Sequence, residues 1–551
     1  MTTAGSPDSE QAPWTTPAFI VLLLVAGSLS LWFYLLGHEL TFFRDEWDMI
    51  LYRLPTADSL LASHGGQQVP LTSAFFQAGS RIFGLDDYQY FRAATVPLLG
   101  FCAIVLFLIS SPRIGPWLAL LVSVLLMSLG ASYEIALWPM VGITFAGAAL
   151  SGMSALLLCM KRDIRYDLGA AALLIIAVAI SGFGLVFLVG VATYLLLDRG
   201  SPLHRLWIPA PAILLYLIWY LAFQTVGSEP PPTLVGYLEF PLKMVEAGLQ
   251  GMTGLPPVLS VSLGLLLVVA VLARLRQGSS INPLLISSLL MLATFLVLST
   301  VARGGFNDPG AGRYIFPTVL LLLLIVVSLQ PKTNSGRYLL GGVLIGLSLF
   351  SLPHGLVEYS RGAENLEDQA RVLKAELAGA EVGGRETIAP ETPLASTIYG
   401  FPTSYHYFDA VDRYSSSPAL TLSELVDSSE SQKAAADALL ASAQGVVRQQ
   451  PIARFQSFLS KPSSFCSRLR PRVPTVVALV PGETIWVSSS TLGNSIRLRR
   501  FGGVFPTDAF SLEASQYRIR SRKDHAQDVP WMLLITTNRG SVRICRDEAP
   551  R

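Results

Sequence analysis

Residues 18–48 read AFIVLLLVAGSLSLWFYLLGHELTFFRDEWD. The opening run, Ala18–Leu36, contains no charged side chain and approaches the ~20 residues of a bilayer crossing. Met1 to Pro17 holds no Lys or Arg, so the basic flank of a cleaved signal peptide is missing, and no small-residue cleavage site follows. The run therefore reads as a retained first helix. Just past it stands Arg44-Asp45-Glu46-Trp47-Asp48, the densest polar group beside a helix end. Charges close to hydrocarbon are costly and tend to be functional.

Working outward, ten further apolar segments follow: Ala93–Ile109, Trp117–Leu129, Met140–Met160, Leu168–Ile180, Leu185–Leu197, Leu206–Phe223, Val258–Leu275, Leu284–Val301, Tyr314–Leu329 and Leu339–Leu352. Composition agrees. Of 551 residues, 51% are hydrophobic and only 14% charged, against about 25% in soluble domains; mean hydropathy is +0.50. The expected fold class is an α-helical polytopic membrane protein of about eleven transmembrane helices. Disorder is excluded over most of the chain by its apolar content. A net charge of +2 without a basic arm gives no reason to expect nucleic acid.

Loop charge sets the expected topology. Lys161, Arg162 and Arg165, Arg199 and Arg205, Arg274 and Arg276, and Lys332 and Arg337 fall in alternate short loops. Ser132–Pro139 and Thr225–Pro257 are nearly free of Lys and Arg. This pattern requires a short hairpin at Ser181-Gly182-Phe183-Gly184, a cytoplasmic N-terminal tail (1–17) and an extracytoplasmic C-terminus. The membrane domain spans 18–353, with a long first external loop at 38–92. That loop holds two amphipathic pieces, Ala57–His64 and Leu71–Phe83, suited to the interface. The localisation expected is the plasma membrane, multi-pass.

The last ~200 residues are polar enough for a domain of ordinary size. Within 354–465 a helix over Leu356–Leu377 presents Ala363, Leu366, Ala370 and Leu377 on one face, with Glu367 and Arg371 spaced i,i+4. From Pro474 the period becomes two. Thr475–Val480, Thr484–Val487, Ser495–Arg499, Gln516–Arg522, Met532–Thr537 and Val542–Cys545 read as strands, with a turn at Asn538-Arg539-Gly540. A small β-sandwich over 466–546 is expected, making the tail an extracytoplasmic α+β domain. Cys466 and Cys545 bracket it; an oxidising compartment permits a disulfide, and two separate thiols are the alternative. Cys102 and Cys159 lie in apolar helices as small hydrophobes.

Several residues are candidates for chemistry. Asp45 and Glu46 are adjacent carboxylates, which face different directions on a regular backbone, so one can act while the other orients it. The bland account makes them a solvated cap with Trp47 as a membrane-belt anchor. Glu134 precedes Trp138-Pro139, and a helix-capping acid is its plain reading. His64 stands between the interfacial pieces, where a lone loop His is usually just polar. Arg303 and Arg313 bracket a glycine-rich loop, 304–312, and Gly312-Arg313-Tyr314 opens the next helix. External arginines oppose the positive-inside trend; they suit bidentate grip of a phosphate, or snorkelling to head groups. Lys243 is a lesser candidate of the same kind. No CxxC or His/Cys cluster indicates zinc; no cofactor is assigned, and a divalent metal is left open. In the tail, Arg497 and Arg499 share one strand face, and Arg518, Arg520 and Arg522 another. These are either a solvated face or a basic surface for membrane or anionic polymer. Tyr405, Tyr407 and Phe408, within Tyr399–Tyr414, are candidate sugar-stacking rings.

The Asp45-Glu46 pair behind helix one, the His64…Pro70 element among interfacial helices, and the late Arg313-Tyr314 helix start together resemble the glycosyltransferase C superfamily. Protein mannosyltransferases and lipid A aminoarabinose transferases belong to it. Through Glu134…Trp138-Pro139 and Gly312-Arg313-Tyr314 the chain also resembles uncharacterised actinobacterial membrane transferases of that superfamily. The likeness covers roughly Ala18 to Leu352 and leaves out the tail. It implies an inverting enzyme that moves a sugar from a polyprenyl-phosphate donor to an envelope glycan, lipid or protein at the outer face. It also implies that Asp45-Glu46 matches the catalytic acidic pair, with Arg313, Arg303 and Lys243 on the donor phosphate. His64, Glu134 and Tyr314 are then contacts to donor or acceptor. The expected partners are the lipid-linked sugar donor, the acceptor and membrane lipid. Two other classes stay open: a transporter or flippase of a lipid-linked precursor, and a non-catalytic envelope assembly protein. A transporter calls for ionisable groups within spans and paired broken helices; the spans here are nearly free of charge.

Overall fold

The computed structural model describes residues 13–198, 203–224, 233–276, 282–305, 308–330, 333–394, 403–459, 464–505, 509–538 and 540–547. Arg199, Lys332, Tyr399 and Arg539, each used above, lie outside them. The chain divides into two compact units. A helical unit comprises Met1–His38, Arg53–Gly79 and Gln89–Asn365; a sheet-bearing unit comprises Glu39–Tyr52, Ser80–Tyr88 and Leu366–Arg551. The first loop is thus shared out between the units, where the sequence reading kept 38–92 whole within the membrane domain. The physical reason lies in its side chains. Glu39 pairs with Arg371 at 2.6 Å, and the ring of Trp47 packs edge-on to Tyr407 at 6.2 Å.

In the helical unit every one of the eleven apolar segments lies on helix. Among the described residues seven helices can cross a membrane by length and composition, or eight if Pro116–Met127 and Gly130–Leu137, bent by 49°, form one broken span. Gly184–Leu197 and Gly312–Ser328 are apolar but shorter. Leu24, Leu221, Leu266 and Val301 are exposed, an outward apolar surface of a size that suits hydrocarbon and not water. The protein is a multi-pass membrane protein.

Arginines close the ends of this unit's first elements. Arg92, without exposure, donates to the carbonyls of Phe33 (2.6 Å), Tyr34 (2.8 Å) and Gly37 (2.6 Å) at the end of helix Pro17–Leu36. Those carbonyls are helix-end acceptors, and a cation there also meets the negative pole of the helix. Arg53 does the same for the next piece, donating to the carbonyls of Ser59, Ala62 and Ser63 at 2.9, 2.7 and 3.2 Å. On the opposite charge sign, the side chains of Arg205 and Asp167 pair while both are almost wholly buried.

Among its described residues the sheet-bearing unit holds nine strands: β1 (Val447–Gln450), β2 (Ser464–Leu469), β3 (Thr475–Leu479), β4 (Thr484–Ser489), β5 (Asn494–Arg499), β6 (Phe510–Leu512), β7 (Gln516–Arg520), β8 (Trp531–Thr536) and β9 (Val542–Asp547). They form a five-stranded sheet, β1-β7-β4-β9-β2, and a four-stranded one, β3-β8-β5-β6, with antiparallel pairing. Strict alternation explains the layering. Ile485, Val487, Ile519 and Ile544 from one sheet share a core with Ile496, Leu498, Leu533 and Ile535 from the other. Cys466 and Cys545 are directly opposite on β2 and β9 and are disulfide-bonded. Ala363, Leu366, Ala370 and Leu377 are buried within the helical stretch Asn334–Thr387, ahead of the kink at Gly384 (φ 66°).

Candidate functional site

The acidic group is built into the sheet-bearing unit. Arg44, with φ 45° and ψ −115°, turns the chain into the short helix Asp45–Leu51. Such a conformation for a non-glycine residue costs on the order of 1–3 kcal/mol and collects at functional sites. Its consequence is that Asp45 and Glu46 open the helix on different sides. Glu46 has no exposure. Its Oε2 accepts from the Phe43 backbone N–H at 2.9 Å and from the Tyr88 hydroxyl at 2.8 Å, and its Oε1 lies 3.0 Å from the same hydroxyl. Asp45 is half-buried, as is Asp48 one turn on.

Aromatic packing fixes this arrangement. Trp47 is 1% exposed and its indole N–H donates to the Phe42 carbonyl at 3.0 Å. Phe42 lies 5.7 Å from the Trp47 ring and 5.0 Å from that of Tyr88. The alternative of Trp47 as an interfacial anchor is therefore corrected: an anchor must reach the head groups, and this ring is sealed. Arg413 donates to the Ile50 carbonyl, and Tyr52 stacks edge-on to His406 at 4.7 Å. The Glu381 carboxylate accepts from the Tyr407 hydroxyl at 2.9 Å and from the Ser417 hydroxyl. Burial, and then the charge of Glu381, hold the Tyr407 phenol well above its ordinary value. That ring is thus spoken for within the core, as is Phe408, over which Arg385 sits at 5.4 Å. Tyr405 stays exposed.

The basic candidates lie in the helical unit. Gly312 opens helix Gly312–Ser328 so close to the preceding turn that a Cβ there would stand 2.8 Å from the Ala131 carbonyl oxygen. Only glycine permits that approach. It brings the Arg313 backbone N–H to Glu134 Oε2 at 3.3 Å, so Glu134 caps a helix start, though of the later helix and not its own. The Arg313 guanidinium lies 5.5 Å from the Tyr314 ring, and Tyr314 is buried, edge-on to Phe240. Glu134, Arg313 and Tyr314 thus form one cluster.

Arg303 and His64 belong to a second. His64 and Gln67 exchange backbone hydrogen bonds at 2.9 and 3.0 Å around a turn containing Gly65 at φ 53°. Arg303 donates to the Gly65 carbonyl at 3.2 Å. Lys243 stands apart, paired with Glu239 at 2.7 Å on an exposed helix face. Its ammonium is held above the ordinary lysine value by that hydrogen bond and charge, and further by Glu246 and Asp308. Asp308 lies in the loop between Arg303 and Arg313, so Lys243 reaches that loop's field. Among the described residues no three His, Cys, Asp or Glu side chains come together to hold a metal ion.

Sequence reasoning passed over Tyr88, Arg53 and Arg92. Only Arg92 carried a signal: a lone cation at the mouth of an apolar segment, opposite to the loop-charge trend. Tyr88 carried none, because its partner is 42 residues away.

No family model matches the chain, and no curated protein matches it. Among solved structures it is similar to the crystal structure of ArnT from Cupriavidus metallidurans in the apo state, with a TM-score of 0.46 and 13% identity over 68% of this chain and 81% of that one. At 13% identity no residue's role passes from one chain to the other. The chain itself is a multi-pass helical membrane protein with a C-terminal domain of two antiparallel sheets.

Proposed function

We propose that the protein is an inverting glycosyltransferase that takes a sugar from a polyprenyl-phosphate donor and places it on an envelope glycan, lipid or protein at the outer face of the plasma membrane. The observation that carries this reading is the division of labour in the acidic pair. Glu46 has no exposure and accepts hydrogen bonds from Phe43 and Tyr88, while Asp45, beside it after a strained turn, is half-buried. The sequence resemblance at these two positions supports it.

The chemistry follows from the leaving group. A phosphate ester departs as a weak base, so no second carboxylate is needed to protonate it, unlike the alcohol expelled in glycoside hydrolysis. Asp45 accepts the proton of the acceptor hydroxyl as that oxygen attacks the anomeric carbon. The carbon–oxygen bond to phosphate breaks on the opposite face, and polyprenyl phosphate leaves with the electron pair. Glu46 is a positioning residue, since Phe43 and Tyr88 occupy its oxygens. Arg313 is assigned to the donor phosphate, with Arg303 and Lys243 as lesser contributors, because a guanidinium both pairs with and orients a dianion. The N-terminus is assigned to the cytoplasm and the tail to the outside.

The test is purified protein in a lipid nanodisc or proteoliposome with a polyprenyl-phosphate sugar. Appearance of glycosylated acceptor with loss of the lipid-linked sugar supports the reading. Movement of intact donor across the bilayer without transfer would make the protein a flippase, and neither activity would leave it an assembly factor.

A further inference from the structure

The strand register places a feature on the five-stranded sheet that the strand faces read from sequence did not contain. Arg497 and Arg499 lie on β5, in the other sheet, and Arg522 lies past the end of β7, donating to the Thr387 carbonyl at 2.8 Å. The five arginines first grouped together therefore do not make one surface. A different set does. Arg448 on β1 is directly opposite Arg518 on β7, and Arg468 on β2 is directly opposite Arg543 on β9. Arg520 follows Arg518 two residues on, on the same face.

All of these point away from the core, since Val447, Ile519, Ile485 and Ile544 alternate with them toward it. Like charges directly opposite on neighbouring strands are destabilising, and this sheet contains two such pairs. Among the side chains described, no carboxylate forms a salt bridge with Arg448, Arg518 or Arg520. The guanidinium of Arg518 is held below the usual arginine value by burial and then by Arg520, Arg448 and Arg454.

The middle of the face is closed. The helix Ile452–Leu459 lays Phe455 and Phe458 over Trp486 and Cys545. Around it the register leaves amides and hydroxyls, Gln450 opposite Gln516 and Ser488 opposite Arg543. Exposed apolar side chains, which a membrane-inserting surface needs, are not what the arginines alternate with.

We propose that this outer face binds a linear polyanionic glycan, one bearing carboxylate or phosphate groups at intervals along the chain. Strands are about 4.8 Å apart, so the arginine pairs of β1/β7 and β9/β2 form two cationic stations roughly 10 Å or more apart, set diagonally in adjacent rows of the face: one row runs from Arg448 and Arg518 through Trp486 to Cys545, the next from Gln450 and Gln516 through Ser488 to Arg543 and Arg468. Guanidinium forks match carboxylate and phosphate oxygens bidentately, and the intervening amides and hydroxyls suit sugar hydroxyls. Binding of an anion across each pair removes the repulsion that the fold otherwise carries. The proposal does not depend on the transferase reading.

The experiment uses the full chain in nanodiscs of phosphatidylcholine, with polygalacturonate as probe, dextran as neutral control and phosphatidylglycerol vesicles as the lipid arm. Arg448→Gln/Arg518→Gln and Arg468→Gln/Arg543→Gln are compared with the unaltered chain. Polygalacturonate should bind, dextran should not, and binding should fade as NaCl rises from about 50 to about 500 mM, where screening shortens to a few ångströms. Each double variant should lose about tenfold or more in affinity, the scale of one charge-assisted hydrogen bond. Its unfolding temperature should hold or rise, because repulsion has been relieved. Absent binding of polygalacturonate, equal binding of dextran, unchanged affinity in both variants, a clear drop in their unfolding temperature, or capture by the vesicles alone would each overturn the proposal.

Discussion

Two arginines in the sheet-bearing unit have opposite surroundings. The Arg500 side chain has no exposure and grips Asp524 with both Nη atoms at 2.5 and 2.8 Å. It also donates to the carbonyls of Ala526 and Val529. Beside it, burial raises the Asp437 carboxyl above its usual value, although the backbone N–H groups of Arg500, Phe501 and Gly502 donate to it. Arg518, on the outer face, stands opposite another arginine. The acidic pair differs in burial one residue apart: Glu46 has no exposure and Asp45 is half-buried. Where a charge is buried, the fold supplies its partners, because an unpaired buried ion costs too much to keep. A surface charge set opposite a like charge, as Arg518 is, is one that an anionic ligand can use.

The largest effect is expected at Asp45. Asp45→Asn keeps the volume and removes the proton acceptor, so transfer should fall by about 10²–10⁴-fold, the range of general-base assistance, with protein abundance unchanged. Near-normal turnover would end that assignment, and a dead Glu46→Gln beside an active Asp45→Asn would reverse the two roles. Next comes the sealed ion pair. Arg500→Met strands Asp524 in the core and should cost about 3–5 kcal/mol, seen as earlier thermal unfolding and easier proteolysis of the tail. Replacing Asp524 by Leu in the same chain should recover part of that loss; no recovery would mean that the carbonyl bonds, not the pair, matter.

Glu46→Gln tests the sealed member of the acidic pair. Losing charge-assisted bonds from Tyr88 and Phe43 should cost about 1.5–3 kcal/mol, and Tyr88→Phe should cost less. If Glu46 orients Asp45, both variants should also shift the pH–rate profile, a readout that mere loosening of the loop would leave in place. The smallest effect is expected at Arg313. Arg313→Lys keeps the charge but not the fork, so donor use should weaken by about tenfold, one charge-assisted bond. Unchanged donor affinity in Arg313→Ala would remove it from the phosphate.

Much of this was legible in the chain. Ala18–Leu36 and the ten segments after it are helical because apolar runs in lipid have few other ways to satisfy their backbone. Six strands of the sandwich were marked by alternation. β1, β2 and β6 were not: Val-Arg-Gln-Gln shows no alternation, and Phe510–Leu512 is three residues long. Their pairing partners lie far along the chain, and register is a tertiary property.

The sequence by itself determined the membrane class, the two-period tail, and that Asp45 and Glu46 must differ in direction, since all three follow from local periodicity. Only the tertiary structure decided which carboxylate is sealed, because that depends on Tyr88. It also decided that the first loop is divided between units, through Glu39, Trp47 and their partners. And it regrouped the tail's arginines, putting Arg497 and Arg499 in one sheet and setting Arg448 against Arg518 in the other. A side chain's type is local, but its neighbours across a sheet are chosen by strand order.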